Sequence, residues 1–302
     1  GGYGGGGTPP PDGPVRVVAA PAEGDDGQRI QPAIRYVASL PLDNDGFRGA
    51  VLLLPGEFDV EESIHIADGG IVLRGSGIDQ TIIRAIGTDR RALIRIEGID
   101  DRQAGDPIDV VDAFVPVNAS TLTLSSAQGL RAGERVEVRR ASTQAWIDSL
   151  GMNNFGGDRH GGQWRPGSRD VVWHRVITSV EGNHISLDAP LTDSLDPVTP
   201  GTIRPVAWPG QIANAGVENL RLVSSPGVRP KDEDHAWFGV SIEHASDVWV
   251  RQVTAEHFAG GAVAVWSGAQ RVTVEDCLYL NPVSELAGMR RLAFHTAGQQ
   301  TL

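Results

Sequence analysis

The chain has 302 residues, 40% hydrophobic and 21% charged, with 38 Gly and 19 Pro, so it can bury roughly 75% of its unfolded surface and is not a low-complexity chain. A formal charge of −12, from 26 basic and 38 acidic residues, argues against nucleic acid, which needs a positive footprint. The lone Cys277 excludes an internal disulfide, and no run approaches the roughly 18 apolar residues of a membrane span.

The sequence opens as Gly-Gly-Tyr-Gly-Gly-Gly-Gly-Thr-Pro-Pro-Pro, without the charged-then-apolar pattern of a leader. That composition reads as a linker, so residues 1–14 are expected to be disordered and outside the fold. Val15 to Ala20 reads as a short strand. Ile30, Ala33, Ile34, Val37 and Ala38 then fall on one helical face, which predicts an amphipathic helix over 29–40 with Asp25 or Asp26 at its start. Pro32 limits how early regular helix begins.

Short apolar runs follow: Ala50–Leu54, Ser63–Ile66, Gly70–Arg74 and Thr81–Arg84, each bounded by Gly, Pro, Asp or Asn. They stand too close together for crossover helices, which argues against a doubly wound sheet. The C-terminal third repeats. Val217-Glu-Asn-Leu-Arg-Leu, Val250-Arg-Gln-Val-Thr-Ala and Val274-Glu-Asp-Cys-Leu-Tyr share one pattern at offsets of 33 and 24 residues. Gly239-Val-Ser-Ile precedes Val250 much as Ala262-Val-Ala-Val precedes Val274. Repeats of this length built from short strands predict a β-helix. Asn219, Gln252 and Asp276 stand at equivalent places and read as a structural polar stack.

The rhythm breaks over 107–205. Val115–Val117, Ser120–Leu124, Gly133–Val138, Val176–Val180 and Asn183–Asp188 alternate as half-exposed antiparallel strands do. Between them, Trp146 to Trp173 reads as one long Gly- and Trp-rich loop. The expected organisation is therefore a linker (1–14), a cap with the first turns (15–106), an inserted β-subdomain (107–205) and further turns (206–302). Gly298–Leu302 stops within what reads as a strand, so more chain is expected beyond it.

Asp25-Asp26, Ile30-Gln-Pro-Ala-Ile34, Gly49-Ala-Val-Leu-Leu-Leu-Pro-Gly56 and Val72-Leu-Arg-Gly-Ser-Gly77 resemble the opening of the pectate-lyase-like superfamily. The segments Gly182–Leu191, Gly216–Leu220 and Asp232–Trp237 are similar to secreted bacterial members. The resemblance implies an all-β, right-handed parallel β-helix with an N-terminal capping helix, and a secreted or periplasmic location. It also implies work on extended sugar chains. Lyases of this kind abstract the proton beside a uronate carboxylate, which Ca²⁺ or Arg neutralises, whereas hydrolases use two carboxylates.

The densest candidate is Lys231-Asp-Glu-Asp-His-Ala-Trp237. Asp232, Glu233 and Asp234 offer oxygen ligands to a hard cation such as Ca²⁺. His235 is the candidate base and Trp237 a sugar platform. The alternative is a solvated acidic turn. If turns stack, residues 24–33 apart become neighbours, which adds His257 and Arg290 as catalytic candidates and Arg291 as a partner in a carboxylate clamp. Trp164, with His160, stands in the long loop and is a candidate for closing over substrate. His65, His174 and His184 read as surface residues, and Trp249 and Trp266 equally as packing. The partner read from these features is a polysaccharide, acidic in the lyase reading. A polysaccharide lyase leads, with a glycoside hydrolase (Asp232, Asp234, Glu256) and a non-catalytic, tailspike-like binder as alternatives.

Overall fold

The computed structural model describes residues 1–154 and 162–302, and it is mostly β, with parallel sheets. It divides into two compact units, one formed by Gly1–Asp101 with Pro209–Leu302 and the other by Arg102–Trp208.

The first unit begins with β1 (Val15–Ala19) and α1 (Gly27–Ala38). The helix starts two residues before the periodicity predicts. Asp25 Oδ1 accepts from Gly27 N at 2.9 Å, and buried Asp26 accepts from Arg29 and, at 3.2 Å, from Asp59 N. Ile30, Ala33, Ile34 and Val37 face the core, and Pro32 is accommodated inside the helix. Six strands follow: β2 (Gly49–Leu53), β3 (Gly56–Val60), β4 (Ile64–Ile66), β5 (Ile71–Arg74), β6 (Thr81–Ala85) and β7 (Ala92–Glu97). Of these, β3 and β7 were not among the predicted runs.

The second unit holds β8 (Gln103–Ala104), β9 (Ile108–Asp109), β10 (Thr121–Thr123), β11 (Arg135–Arg140), α2 (Gln144–Ser149), β12 (Val171–Glu181), β13 (His184–Leu187) and β14 (Gly201–Ala207). All its pairings are antiparallel. Alternating residues such as Leu122, Val138, Trp173, Ile177, Ile185 and Ile203 form its own core. Helix α2 occupies part of the stretch expected to be one loop, because Thr143 caps it by accepting from Trp146 N at 3.2 Å. His160 lies outside the described residues.

The chain then returns to the first unit as β15 (Ile212–Ser224), β16 (Phe238–Glu243), β17 (Ala245–Glu256), β18 (Gly261–Val265), β19 (Gln270–Glu275), β20 (Leu278–Leu280) and β21 (Phe294–Thr296). Successive strands move between ladders, and each pairs in parallel with the strand one turn later. Val217 pairs with Val250 and Val250 with Val274, so the sequence offsets of 33 and 24 are the strand register itself. Val240 likewise pairs with Val263. Strand β15 also pairs with β5 and β6, which precede it by about 140 residues in the chain.

Single left-handed residues bend the long strands without ending the ladder. Asn219 (φ 58°), Gln252 (φ 52°) and Asp276 (φ 52°) make one such corner, which agrees with their reading as a structural stack. Asn214, Asp247 and Arg271 make another. The columns Val51–Leu73–Val217–Val250, Phe58–Ile83–Leu222–Ala255 and Ile64–Ile94–Val240–Val263 all face one buried cluster. Each such Val, Leu, Ile or Phe side chain contributes about 1.5–3 kcal/mol.

Residues 1–14 correct the composition-based expectation. Gly2 N donates to Gln300 O at 2.6 Å, Tyr3 N donates to Thr273 Oγ1 at 2.9 Å, and the Tyr3 ring meets Trp249 edge-on at 5.2 Å. Positive φ at Gly2 and Gly4–Gly7 permits this tight course. Glycine content signals freedom in an isolated chain, but here it lets the segment lie against a sheet.

Candidate functional site

Among the connections that lead from one face of the coil to the next are residues 86–91 (β6 to β7), 225–237 (β15 to β16), 257–260 (β17 to β18) and 281–293 (β20 to β21). Because the turns stack, these loops become neighbours. Residues of the first, second and fourth of them line an open cavity of about 570 Å³, namely Arg90, Arg229, Pro230, Lys231, Glu233, Asp234 and Glu285, of which Glu233 and Asp234 are sequence-predicted candidates.

Each acid of the 232–234 run has a guanidinium partner. Glu233 takes both ends of Arg290, with Nε at 2.7 Å and Nη2 at 2.8 Å. This bidentate pair, with help from Glu285 N, lowers the Glu233 carboxyl to about 2. Asp234 accepts from Arg229 at 2.7 Å and from Arg90 at 3.2 Å, which hold its carboxyl below the usual range. Asp232 accepts from Gly227 N at 2.7 Å and pairs with Arg229, and the backbone bond is the leading cause of its lowered carboxyl. Lys231 pairs with Glu285 at 2.8 Å.

These contacts revise several assignments. The three acids do not fit a Ca²⁺ cage, since their oxygens are turned toward arginines. Among the described residues, no group of three or more His, Cys, Asp or Glu is arranged to hold a metal ion. His235 does not fit the role of an accessible base. It is fully buried, with Nδ1 2.7 Å from Ser224 Oγ and Nε2 3.1 Å from the carbonyls of both Asp232 and Val283. Two carbonyls around Nε2 require that nitrogen to carry the proton, so the ring ties loop 225–237 to loop 281–293.

Trp237 is occupied as well. Its Nε1 donates to Glu233 O at 3.0 Å, and the guanidiniums of Arg290 and Arg90 lie over its ring at 4.9 and 5.4 Å. The indole therefore orients the two arginines and does not present a bare platform. Arg291 is left-handed (φ 55°) and spends its fork on Ser284, donating to Oγ at 3.2 Å and to the carbonyl at 2.7 Å. It staples its own loop and does not clamp a ligand. Trp164 lies in the Arg102–Trp208 unit, stacked on Trp146 at 5.6 Å with Arg169 over it at 5.0 Å.

His257 remains half-exposed beside the cluster. Its Nε2 is 3.6 Å from Glu256 Oε1, and Val283 N, from the neighbouring loop, donates to its carbonyl at 3.4 Å. Asn281 donates to Glu256 at 3.0 Å, and this bond is the leading cause of its lowered carboxyl. Arg221 reaches Glu256 at 3.4 Å and Asp79 at 2.5 Å.

Arg90, Arg229 and Glu285 were missed from sequence. Arg229 could have been found, since it precedes the acids by three and five residues. Arg90 could not, because it reaches Asp234 across 144 residues.

No family model and no curated protein matches the chain. Among solved structures it is similar to the tailspike gp61 of Pseudomonas phage phi297, at 13% identity over 86% of this chain and 42% of that one, with a TM-score of 0.46. It is also similar to the gp54 tailspike of Acinetobacter baumannii phage AP22, solved with A. baumannii capsular saccharide, at 11% identity over 82% and 43%, with a TM-score of 0.34. A third is the A-module of the Azotobacter vinelandii mannuronan C-5 epimerase AlgE4, at 12% identity over 95% and 58%, with a TM-score of 0.31. The chain thus spans about two fifths of the length of the two tailspikes.

Proposed function

We propose that the protein is a carbohydrate-active, right-handed parallel β-helix protein of the pectate-lyase-like kind, with α1 capping the coil and the Arg102–Trp208 unit inserted between turns. In this reading it holds a polysaccharide across the four stacked loops and cleaves uronate-containing chains by β-elimination. The observation that carries it is the cavity itself, where Arg90, Arg229 and Lys231 stand with Glu233, Asp234 and Glu285, the last of these on a loop hydrogen-bonded to the backbone of half-exposed His257. A uronate carboxylate would accept from the outward edges of Arg229 and Arg90, whose side chains are 66% and 52% exposed. That contact acidifies the adjacent C5–H. The imidazole of His257 takes this proton, the electron pair forms the C4–C5 double bond, and the C4–O bond breaks. The leaving oxygen takes a proton in turn, the one on His257 returning directly or through solvent, and no water is consumed.

Hydrolysis is less well supported. A hydrolase needs one carboxyl that keeps its proton near neutral pH, and Asp232, Glu233, Asp234 and Glu256 are all shifted the other way. Binding without turnover is the second reading. It is favoured by the pairing of the loop cations with carboxylates, which leaves a set suited to recognition by hydrogen bonds.

The test is a panel of acidic and neutral polysaccharides, followed by ultraviolet absorbance of unsaturated products and by calorimetry. A rise that disappears in His257→Ala supports elimination. Heat without product, reduced by Arg229→Ala, supports the binder. Neither signal with any member of the panel refutes both.

A further inference from the structure

The outer face of β5, β15 and β17 carries a polar cluster that the loop site does not use. Glu218 is fully buried. Its Oε1 accepts from Arg74 Nε at 2.5 Å, and its Oε2 accepts from Arg251 Nε at 2.7 Å and from Trp249 Nε1 at 2.9 Å. One carboxylate between two guanidiniums leaves one positive charge over.

That surplus faces the segment over it. Asp12 Oδ1 lies 3.0 Å from Arg251 Nη2 and 3.9 Å from Arg74 Nη2. The carbonyls of Pro10 and Gly13 accept from Arg251 and Arg74 at 3.3 and 3.2 Å. Asp12 is a poor incumbent, since its side chain is 88% exposed. Arg74 Nη2, although buried, has no hydrogen-bond partner among the described residues. A carboxylate that reached both guanidiniums would satisfy a donor that Asp12 leaves unmade. Beside it, Trp249 is buried against Tyr3 and Phe47 and would offer a sugar-stacking face once Tyr3 lifts.

We propose that Arg74, Arg251 and Trp249 form a second binding site, for a carboxylate-bearing saccharide, and that residues 1–14 are its built-in competitor, with Asp12 standing where the ligand carboxylate goes. The saccharide class rests on the reading of the loop cavity, whereas the carboxylate rests on the charge count alone. Segment and ligand exclude each other, so apparent affinity is reduced by the fraction of molecules in which the segment is lifted.

The experiment uses the full chain, tri-galacturonate as probe, and neutral trigalactose and acetate at matched ionic strength as controls. Asp12→Asn is expected to bind tri-galacturonate about tenfold more tightly than the parent, with faster hydrogen exchange at the amides of residues 2–8. Saturating tri-galacturonate should speed the same amides in the parent. Arg251→Gln should abolish the gain, and Arg74→Gln, with the same expectation, covers the case in which that variant does not fold. Arg229→Ala, in the loop cavity, should leave the Asp12→Asn gain in place, which separates the two sites. Unchanged affinity and exchange in a folded Asp12→Asn overturns the proposal. So does a gain lost through Arg229 but not Arg251, or equal binding of trigalactose. Equal competition by acetate overturns the saccharide assignment.

Discussion

Glu218→Gln isolates charge from shape. Glutamine keeps the side-chain volume inside a site that is fully closed to solvent and can still accept from Trp249 Nε1. It removes the negative charge that sits 2.5 Å from Arg74 Nε and 2.7 Å from Arg251 Nε, and its amide N–H₂ now faces a donor. Removing one partner of a buried ion pair costs about 3–5 kcal/mol. Arg74 and Arg251 are 16% and 19% exposed, so water relieves part of that penalty, and the expected loss is about 2–3 kcal/mol. A domain of this size loses about 2–4 °C of Tm per kcal/mol, which makes the drop about 4–12 °C by calorimetry. Glu218→Ala should lose more, because it also removes the acceptor for the indole. A drop below about 1 °C in Glu218→Gln would mean that the guanidiniums are already solvated, and would refute the buried-charge argument.

The packing and ion pairs of the protein set four further outcomes. Gly216→Ala places a Cβ 2.2 Å from Trp249 Cε2, so overpacking should cost about 1–3 kcal/mol by urea unfolding, and Trp249→Leu in the same chain should recover part of it. The Glu233 carboxyl, lowered from 4.5 to about 2 in the folded state, stabilises fully above pH 4.5. That contribution fades as pH falls toward 2, so acid-unfolding curves of the parent and Arg290→Ala should converge there and separate above it. Burial pushes the Cys277 thiol up to about 11. Iodoacetamide at pH 8 should therefore react about a hundredfold more slowly than with an ordinary thiol, and denaturant should restore the rate. Because the acids at 232–234 are held by arginines, a chelator should leave polysaccharide binding and turnover unchanged, and calcium-dependent activity would contradict that assignment.

The coil was legible because its register is written in the sequence. Val217, Val250 and Val274 recur at the offsets by which they pair, and their left-handed partners Asn219, Gln252 and Asp276 recur with them. The chemistry of the loop cluster was legible only in part. Residues 231–237 look like a solvated acidic run with a free histidine when read locally. Their behaviour is set by Arg90, Glu285 and Arg290, which arrive from other turns, and by Ser224 at the end of β15. His235 shows the limit most plainly. Nothing in its neighbours announces that its ring turns inward to Ser224 while the acids before it turn to arginines. The error at residues 1–14 has the same origin, since their partners Thr273, Asp247 and Arg251 lie 239–270 residues away.

The intervening Arg102–Trp208 unit explains why the register nonetheless survives between the second and third turns. Where the chain leaves and rejoins the coil, Ile99 N donates to Gly210 O at 2.8 Å and Gly210 N donates to Asp101 Oδ1 at 2.8 Å. The ends of the excursion are thus held together by the coil itself. Loop-closure entropy grows only with the logarithm of length, each doubling costing about 0.6 kcal/mol, so a hundred-residue excursion costs only about 2–3 kcal/mol more than a five-residue connection. Strand β15 can then pair with β5 at Gly216–Val72 and with β6 at Leu222–Ile83 as though it followed them directly. The same closure brings Arg90 to Asp234. Replacing residues 102–208 by a short Gly-Ser linker should therefore leave the coil folded and the Arg90–Asp234 pair intact. Loss of the coil's cooperative unfolding in that variant would show that the excursion contributes structure the strand register does not supply.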